Sequence, residues 1–183
     1  MNSIPSVNLK DFTSGDPVRK QKFVAEIGKA YEEIGFVALK GHFLDEALVD
    51  DLYKEIKNFF ALPLETKHKY EIPGIGGQRG YVSFGKESAK GKKEGDLKEF
   101  WHFGQYVEDD EERRKEYPEN VSVNELLEFY KVGKKTYQML EKTAKYVLRA
   151  LALYLDLEET YFDNYIHNGN SILRPIHYPP ITQ

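Results

Sequence analysis

Apolar residues recur along the first third of the chain with helical spacing, broken by short β-prone runs. After Asp16-Pro17, which reads as a helix start, Phe23, Ile27, Ala30, Tyr31 and Ile34 keep one face until Gly35. "FVALK" follows, short and ended by Gly41, and predicts a strand. A second helix begins near Asp45, with Leu48, Leu52, Ile56, Phe59 and Phe60 on one face and Pro63 beyond its end. With "SVNL" at Ser6 to Leu9 as a first strand, the opening reads strand-helix-strand-helix.

From Ile72 to Gly95 glycine and lysine dominate and no period survives. The pattern predicts a long loop with an extended piece around Tyr81 to Phe84. Ser122 and Glu125 have capping-box spacing. Val123, Leu126, Leu127, Tyr130, Tyr137, Leu140, Ala144, Val147, Leu148 and Leu151 then keep helical spacing to about Leu155. The prediction is one long helix, disturbed at Gly133, with Leu126, Leu140, Val147, Leu148 and Leu151 facing the core. The acidic-basic run from Glu108 to Glu116 reads as a solvated loop. A shorter helix around Glu158 to Tyr165 leads into a closing strand, "SILRPIHYPP", whose alternation puts Arg174, Ile176 and Tyr178 on one face and His177 on the other. The fold class is α/β in the broad sense (α+β).

The 183 residues, 40% of them hydrophobic, suit one soluble domain with a real core. A formal charge of -4 removes the basic footprint that nucleic acids and anionic membranes require, so neither is expected as a partner. The amino terminus has no basic stretch followed by an apolar one, and Arg149 and Asp156 break the most apolar segment, from Leu148 to Leu157; a cytoplasmic setting is expected. The chain has no cysteine, which excludes disulfides, thiolate metal sites and cysteine nucleophiles together. Any metal would be held by His and carboxylate.

"GYVSFGKE", from Gly80, almost spells a phosphate loop, but Glu87 stands where a hydroxyl should meet magnesium. Of the five histidines, His42 and His68 read as loop or surface residues. None of the five is followed two positions later by Asp or Glu, and no HExxH occurs, so the sequence offers no recognisable metal pair or catalytic residue. His102, between Trp101 and Phe103, either lines a pocket or sits satisfied in an aromatic core strand; both readings stay open. No nucleophile elbow is present.

"EEIGFVALKGHFLD", "FFALPLETKHKY", "GGQRGYVSFGKESAKG", "DLKEFWHFG" and "NSILRPIHYPP", in this order, resemble the amino-terminal half of iron(II)/2-oxoglutarate-dependent dioxygenases of the isopenicillin N synthase-like type, from about Val7 to Ile181. The resemblance implies a helical amino-terminal region, residues 1–170, packed on a double-stranded β-helix (jelly roll) whose first strand is residues 171–183. In that family a His-x-Asp pair and a distant His hold iron, and a later Arg-x-Ser grips 2-oxoglutarate. None of these motifs occurs here, so the resemblance implies a truncated jelly roll with no iron ligands and no bound cofactor in this chain. It further implies Tyr178 and Arg174 on the 2-oxoglutarate wall, and Arg79, Tyr81, Phe100 and His102 at the entrance for a small-molecule substrate. For Arg174 a surface ion pair, and for the other four plain packing, are the competing readings. Two rivals remain for the whole chain. One is a non-catalytic α/β interaction module that binds a partner, or itself, through an open strand edge. The other is a small nucleotide-dependent enzyme using the loop from Gly80 to Lys86.

Overall fold

The computed structural model describes residues 3–88 and 95–180. Residues 89–94 of the expected Ile72 to Gly95 loop, and residues 181–183 of the expected closing segment, lie outside them. The elements in chain order are β1 (Ser6–Asn8), α1 (Leu9–Phe12), α2 (Pro17–Glu33), β2 (Ala38–Lys40), α3 (Glu46–Phe60), α4 (Leu64–His68), β3 (Gly80–Val82), β4 (Glu99–Gly104), α5 (Glu111–Glu116), α6 (Leu127–Tyr154), α7 (Asp163–Ile166), β5 (Ile172–Leu173) and β6 (Ile176–His177). The class is mixed helix and sheet, as expected, and the chain forms two compact units.

The first unit comprises the described residues up to Asp45 together with Gln138–His167. Helix α2 starts where the sequence says it should, because the Asp16 side chain accepts from the Val18 and Arg19 amides and Pro17 needs no partner for its nitrogen. Phe23, Ile27 and Ala30 are buried, whereas Tyr31 is exposed. β1 and β2 pair in parallel, Val7 opposite Leu39. Val7, Leu9, Phe12, Phe23, Ile27 and Ala150 form the core of this unit.

The second unit comprises Glu46–Tyr137 with the described residues from Asn168 onward. Its sheet has β4 at the centre: β3, β5 and β6 each pair with it antiparallel. Phe59, Trp101, Phe103 and Phe129 form the middle of its core, with Phe59 and Phe129 stacked at 5.0 Å. Burying one such ring stabilises by about 2–3 kcal/mol relative to leaving it in water. Asn168 to Pro180 group with β3 and β4 in this unit.

Several expectations need correction. The run at Glu108 to Glu116 contains α5, capped by Asp110 and fully exposed. The one-turn helices α1 and α4 have too few residues to show a period. Helix α7 is shorter than the helix expected around Glu158 to Tyr165. The long helix exists but starts at Leu127, because Glu125 accepts a hydrogen bond from the Tyr70 hydroxyl instead of closing a capping box. Its 28 residues serve two cores, Phe129 and Tyr137 in one and Ala150 in the other, so no single apolar stripe is buried along it. Leu140 and Leu127 are exposed; Leu126, Val147, Leu148 and Leu151 are half-buried.

Gly133 does not disturb the helix. A Cβ there would strike the Phe103 ring, so the glycine is what lets strand β4 lie against the helix. In an open helix Gly→Ala gains about 1 kcal/mol. Here Gly133→Ala is expected to cost about 1–3 kcal/mol through overpacking, a sign reversal that urea denaturation of the variant would show.

Candidate functional site

Alternation along β4 divides its side chains between two faces. Glu99, Trp101 and Phe103 point to the aromatic core; Phe100, His102 and Gly104 point the other way, yet all six residues are buried. Each face carries its own chemistry.

On the core face Glu99 is 4% exposed and would be costly as a bare charge. It accepts hydrogen bonds from Lys67 Nζ at 2.7 Å and the Tyr81 hydroxyl at 2.5 Å, and its other oxygen meets His177 Nδ1 at 2.8 Å. Burial works against the carboxylate, but these hydrogen bonds hold its pKa below the usual carboxylate value. His177 also stacks on Phe60 at 5.0 Å. One carboxylate thus ties α4, β3, β4 and β6 together.

On the opposite face His102 is held from both sides. Its Nδ1 lies 2.6 Å from the Gly77 carbonyl, and its Nε2 lies 2.5 Å from Arg174 Nε. An arginine nitrogen can only donate, so Nε2 accepts, and Nδ1 carries the proton that it gives to Gly77. The ring is therefore neutral. Its pKa is lowered from the ordinary 6.5 to about 4, chiefly by burial and also by the nearby Arg174 and Arg79 charges, while the Gly77 carbonyl and Glu87 oppose them. Arg174 also lies over the Phe100 ring, 4.5 Å from its centre, and reaches Glu87 at 3.4 Å.

A cavity of about 420 Å³ opens on this face. Its walls include Phe100, His102, Arg174, Val82, Glu71 and Lys86, with the Gly76 and Gly77 backbone and the edge of Tyr81. Glu71 accepts from Lys86 Nζ at 2.7 Å and from the Ser83 amide at 2.9 Å. Although burial opposes it, these bonds lower the Glu71 pKa to about 2.

The expected site residues thus divide. Tyr81, Phe100, His102 and Arg174 meet at one cavity, although the Tyr81 hydroxyl is turned to Glu99 in the core. Arg174 lies against His102. Tyr178 is 68% exposed and lines none of the described cavities. Arg79 is fully buried against Gly104, where a Cβ would fall on its guanidinium. It donates to the Gln78 carbonyl, while its Nε and Nη2 find no partner. The sequence reading missed Glu71, Lys86 and the Gly77 carbonyl as parts of this site. The one signal present was the Lys86-Glu87 pair, which counted only as a failed phosphate loop.

Iron does not fit the described residues. No group of three or more His, Asp or Glu side chains among them could hold a metal ion, and both ring nitrogens of His102 are engaged. No described helix is long and apolar enough to cross a membrane.

Comparison with known proteins places these features. The chain belongs to the family described as non-haem dioxygenase in morphine synthesis N-terminal, whose model matches residues 4–125. It is 29% identical over 182 residues to the 2-oxoglutarate-Fe(II) type oxidoreductase hxnY of Emericella nidulans, covering 96% of this chain and 52% of that protein. It is 30% identical to the proline hydroxylase buaE of Petromyces alliaceus, covering 98% of this chain and 56% of the relative. A 2OG-Fe(II) oxygenase family protein from Caulobacter crescentus superposes with a TM-score of 0.85 at 37% identity, over 100% of this chain and 58% of that one. The chain therefore spans about half the length of the curated relatives it matches.

Two outcomes follow from the two faces. Lys67→Met should destabilise the protein by about 3–5 kcal/mol, because it strands a buried charge. Adding Glu99→Gln should recover part of that loss in denaturant titrations. For His102 the folded pKa lies below the unfolded one, so the unfolded chain binds the extra proton and stability falls as pH drops from about 6.5 toward about 4. Thermal melts across this window should show a shallower decline for His102→Gln, whereas the Glu71 contribution is lost only below pH 4.5 and leaves the decline above that pH unchanged.

Proposed function

We propose that this chain is the amino-terminal part of an iron(II)/2-oxoglutarate-dependent oxidoreductase, which couples oxidative decarboxylation of 2-oxoglutarate to oxidation of a small organic substrate. The observation that carries this reading is the match of family and fold along the chain, together with the sheet face on which Phe100, His102 and Arg174 surround a cavity. In this reading the iron ligands and the arginine that grips 2-oxoglutarate belong to the rest of the protein, and residues 171–183 open the jelly-roll core. The part played by the present residues is to shape and orient. Phe100 and His102, with the edge of Tyr81, line the substrate entrance, while Arg79 braces it from behind Gly104. Tyr178, exposed beyond β6, is the residue of this chain that the reading assigns to 2-oxoglutarate, on the family pattern alone. The cysteine-free composition suits a cytoplasmic setting.

Exposure of Ile172, Ile176 and Tyr178 along one side of the closing segment favours self-association of the isolated chain. This is the observation that keeps an interaction module as the second reading.

Anaerobic titration with iron(II) and 2-oxoglutarate tests the proposal through the weak visible charge-transfer band of the chelated oxoacid. The band is expected from a form extended to the length of the relatives and not from the 183 residues alone. A stoichiometric band from the short chain would put the ligands inside it and overturn the division proposed here. A band from neither would favour the interaction module.

A further inference from the structure

Among the described residues, Arg174 is the charge lining the His102 cavity that is loosely matched. Lys86 is paired with Glu71 at 2.7 Å, and Glu71 also takes the Ser83 amide. Glu87 is committed to Lys98 at 2.7 Å and reaches Arg174 only at 3.4 Å, the limit of a useful hydrogen bond. An incoming acid could replace Glu87 at the guanidinium without stranding it, because Lys98 remains its partner.

The guanidinium is also fixed in direction. His102 accepts from Nε, Phe100 supports the plane from below, and Gly77 locks the His102 ring through Nδ1. This leaves the outer fork of Arg174 turned away from His102, the arrangement in which an arginine receives a carboxylate through two parallel hydrogen bonds. Arg79 adds to the positive potential. It is buried close enough to lower the proton affinity of His102, and its Nε and Nη2 have no partner. Apolar surface from Phe100, Val82 and Ile72 completes the walls. A cavity of about 420 Å³ suits a small molecule with one acid group and an apolar body.

We infer that Arg174, oriented by His102, binds the carboxylate of the substrate itself, so that the substrate is a small carboxylic acid with an apolar body and not a neutral compound. The inference rests on the oxidoreductase reading above and adds the substrate class to it. His102, in the wall of the same cavity, is a positioning residue: its effect on the acid comes through the direction it gives Arg174.

The test is a titration of the 183-residue protein with cyclohexanecarboxylate, followed through the Arg174 Nε–H and Gly77 amide resonances. Saturable binding is expected, with cyclohexanecarboxamide weaker by about tenfold or more, the difference one charged hydrogen bond makes. Arg174→Met should abolish binding. His102→Gln keeps an acceptor and should hold affinity within about threefold, whereas His102→Phe fills the volume without accepting and should lose about tenfold. Circular dichroism melts of each variant separate loss of binding from loss of fold. Equal binding of acid and amide, no binding of the acid, or unchanged affinity in Arg174→Met would overturn the inference. So would 2-oxoglutarate binding more tightly than the probe at the same resonances, which would make this the cosubstrate's site. Wild-type affinity in His102→Phe would remove the positioning role. The readout needs no iron or turnover. A protein that gives the 2-oxoglutarate band but ignores the acid fails only this inference; one that binds the acid while neither length gives the band fails only the oxidoreductase reading.

Discussion

A single buried carboxylate organises the larger unit. Glu99 sits on the core face of β4 among aromatic rings, where an unpaired charge could not persist. Its hydrogen bonds to Lys67, Tyr81 and His177 recruit a helical turn, the neighbouring strand and the closing strand to one point. Hydrophobic contact alone would tolerate small slips of these elements past one another. A charged group with three directional partners does not, since any slip leaves an unsatisfied group in a dry interior. The register of β3 and β6 on β4 is thus fixed by polar geometry, and the aromatic core closes around it.

Register on one face determines geometry on the other. Because β4 alternates, holding Glu99 and Trp101 inward fixes Phe100 and His102 outward, and holding His177 against Glu99 brings Arg174 level with His102. The outward face then has a neutral imidazole, a directed guanidinium and an aromatic floor, without any side chain at Gly104 to crowd the buried Arg79. The core supplies the rigidity, and the cavity makes use of it.

Much of the fold was legible because helices of useful length display a period. Asp16-Pro17 announces α2, and its buried residues recur as they should. What escaped were features that have no period or depend on distant partners. Helices α1 and α4 are a turn long. The sequence showed Glu125 as a cap for its own helix, but Tyr70, 55 positions away, takes it. Leu140 kept its place in the apolar repeat, yet the helix changes the core it serves and the residue is left exposed. For the site, strand alternation makes Phe100 and His102 neighbours on one face, and sequence can say that much. The pairing of His102 with Arg174, 72 positions on, and the turning of Arg79 into the interior belong to the folded chain alone.

Trp101 is the only tryptophan in the chain and is fully buried among Phe59, Phe103 and Phe129. The protein therefore has an internal optical reporter confined to one of its two units. Emission from that indole should be blue-shifted and should move to the red when the sheet and its aromatic core come apart. The unit built on β1, β2 and α2 contains no such fluorophore and can unfold without any large change in this signal, although its helices dominate the far-ultraviolet dichroism of that part of the chain. Fluorescence thus reports one unit and dichroism both, and coincidence or separation of their transitions measures how far the two units fold as one.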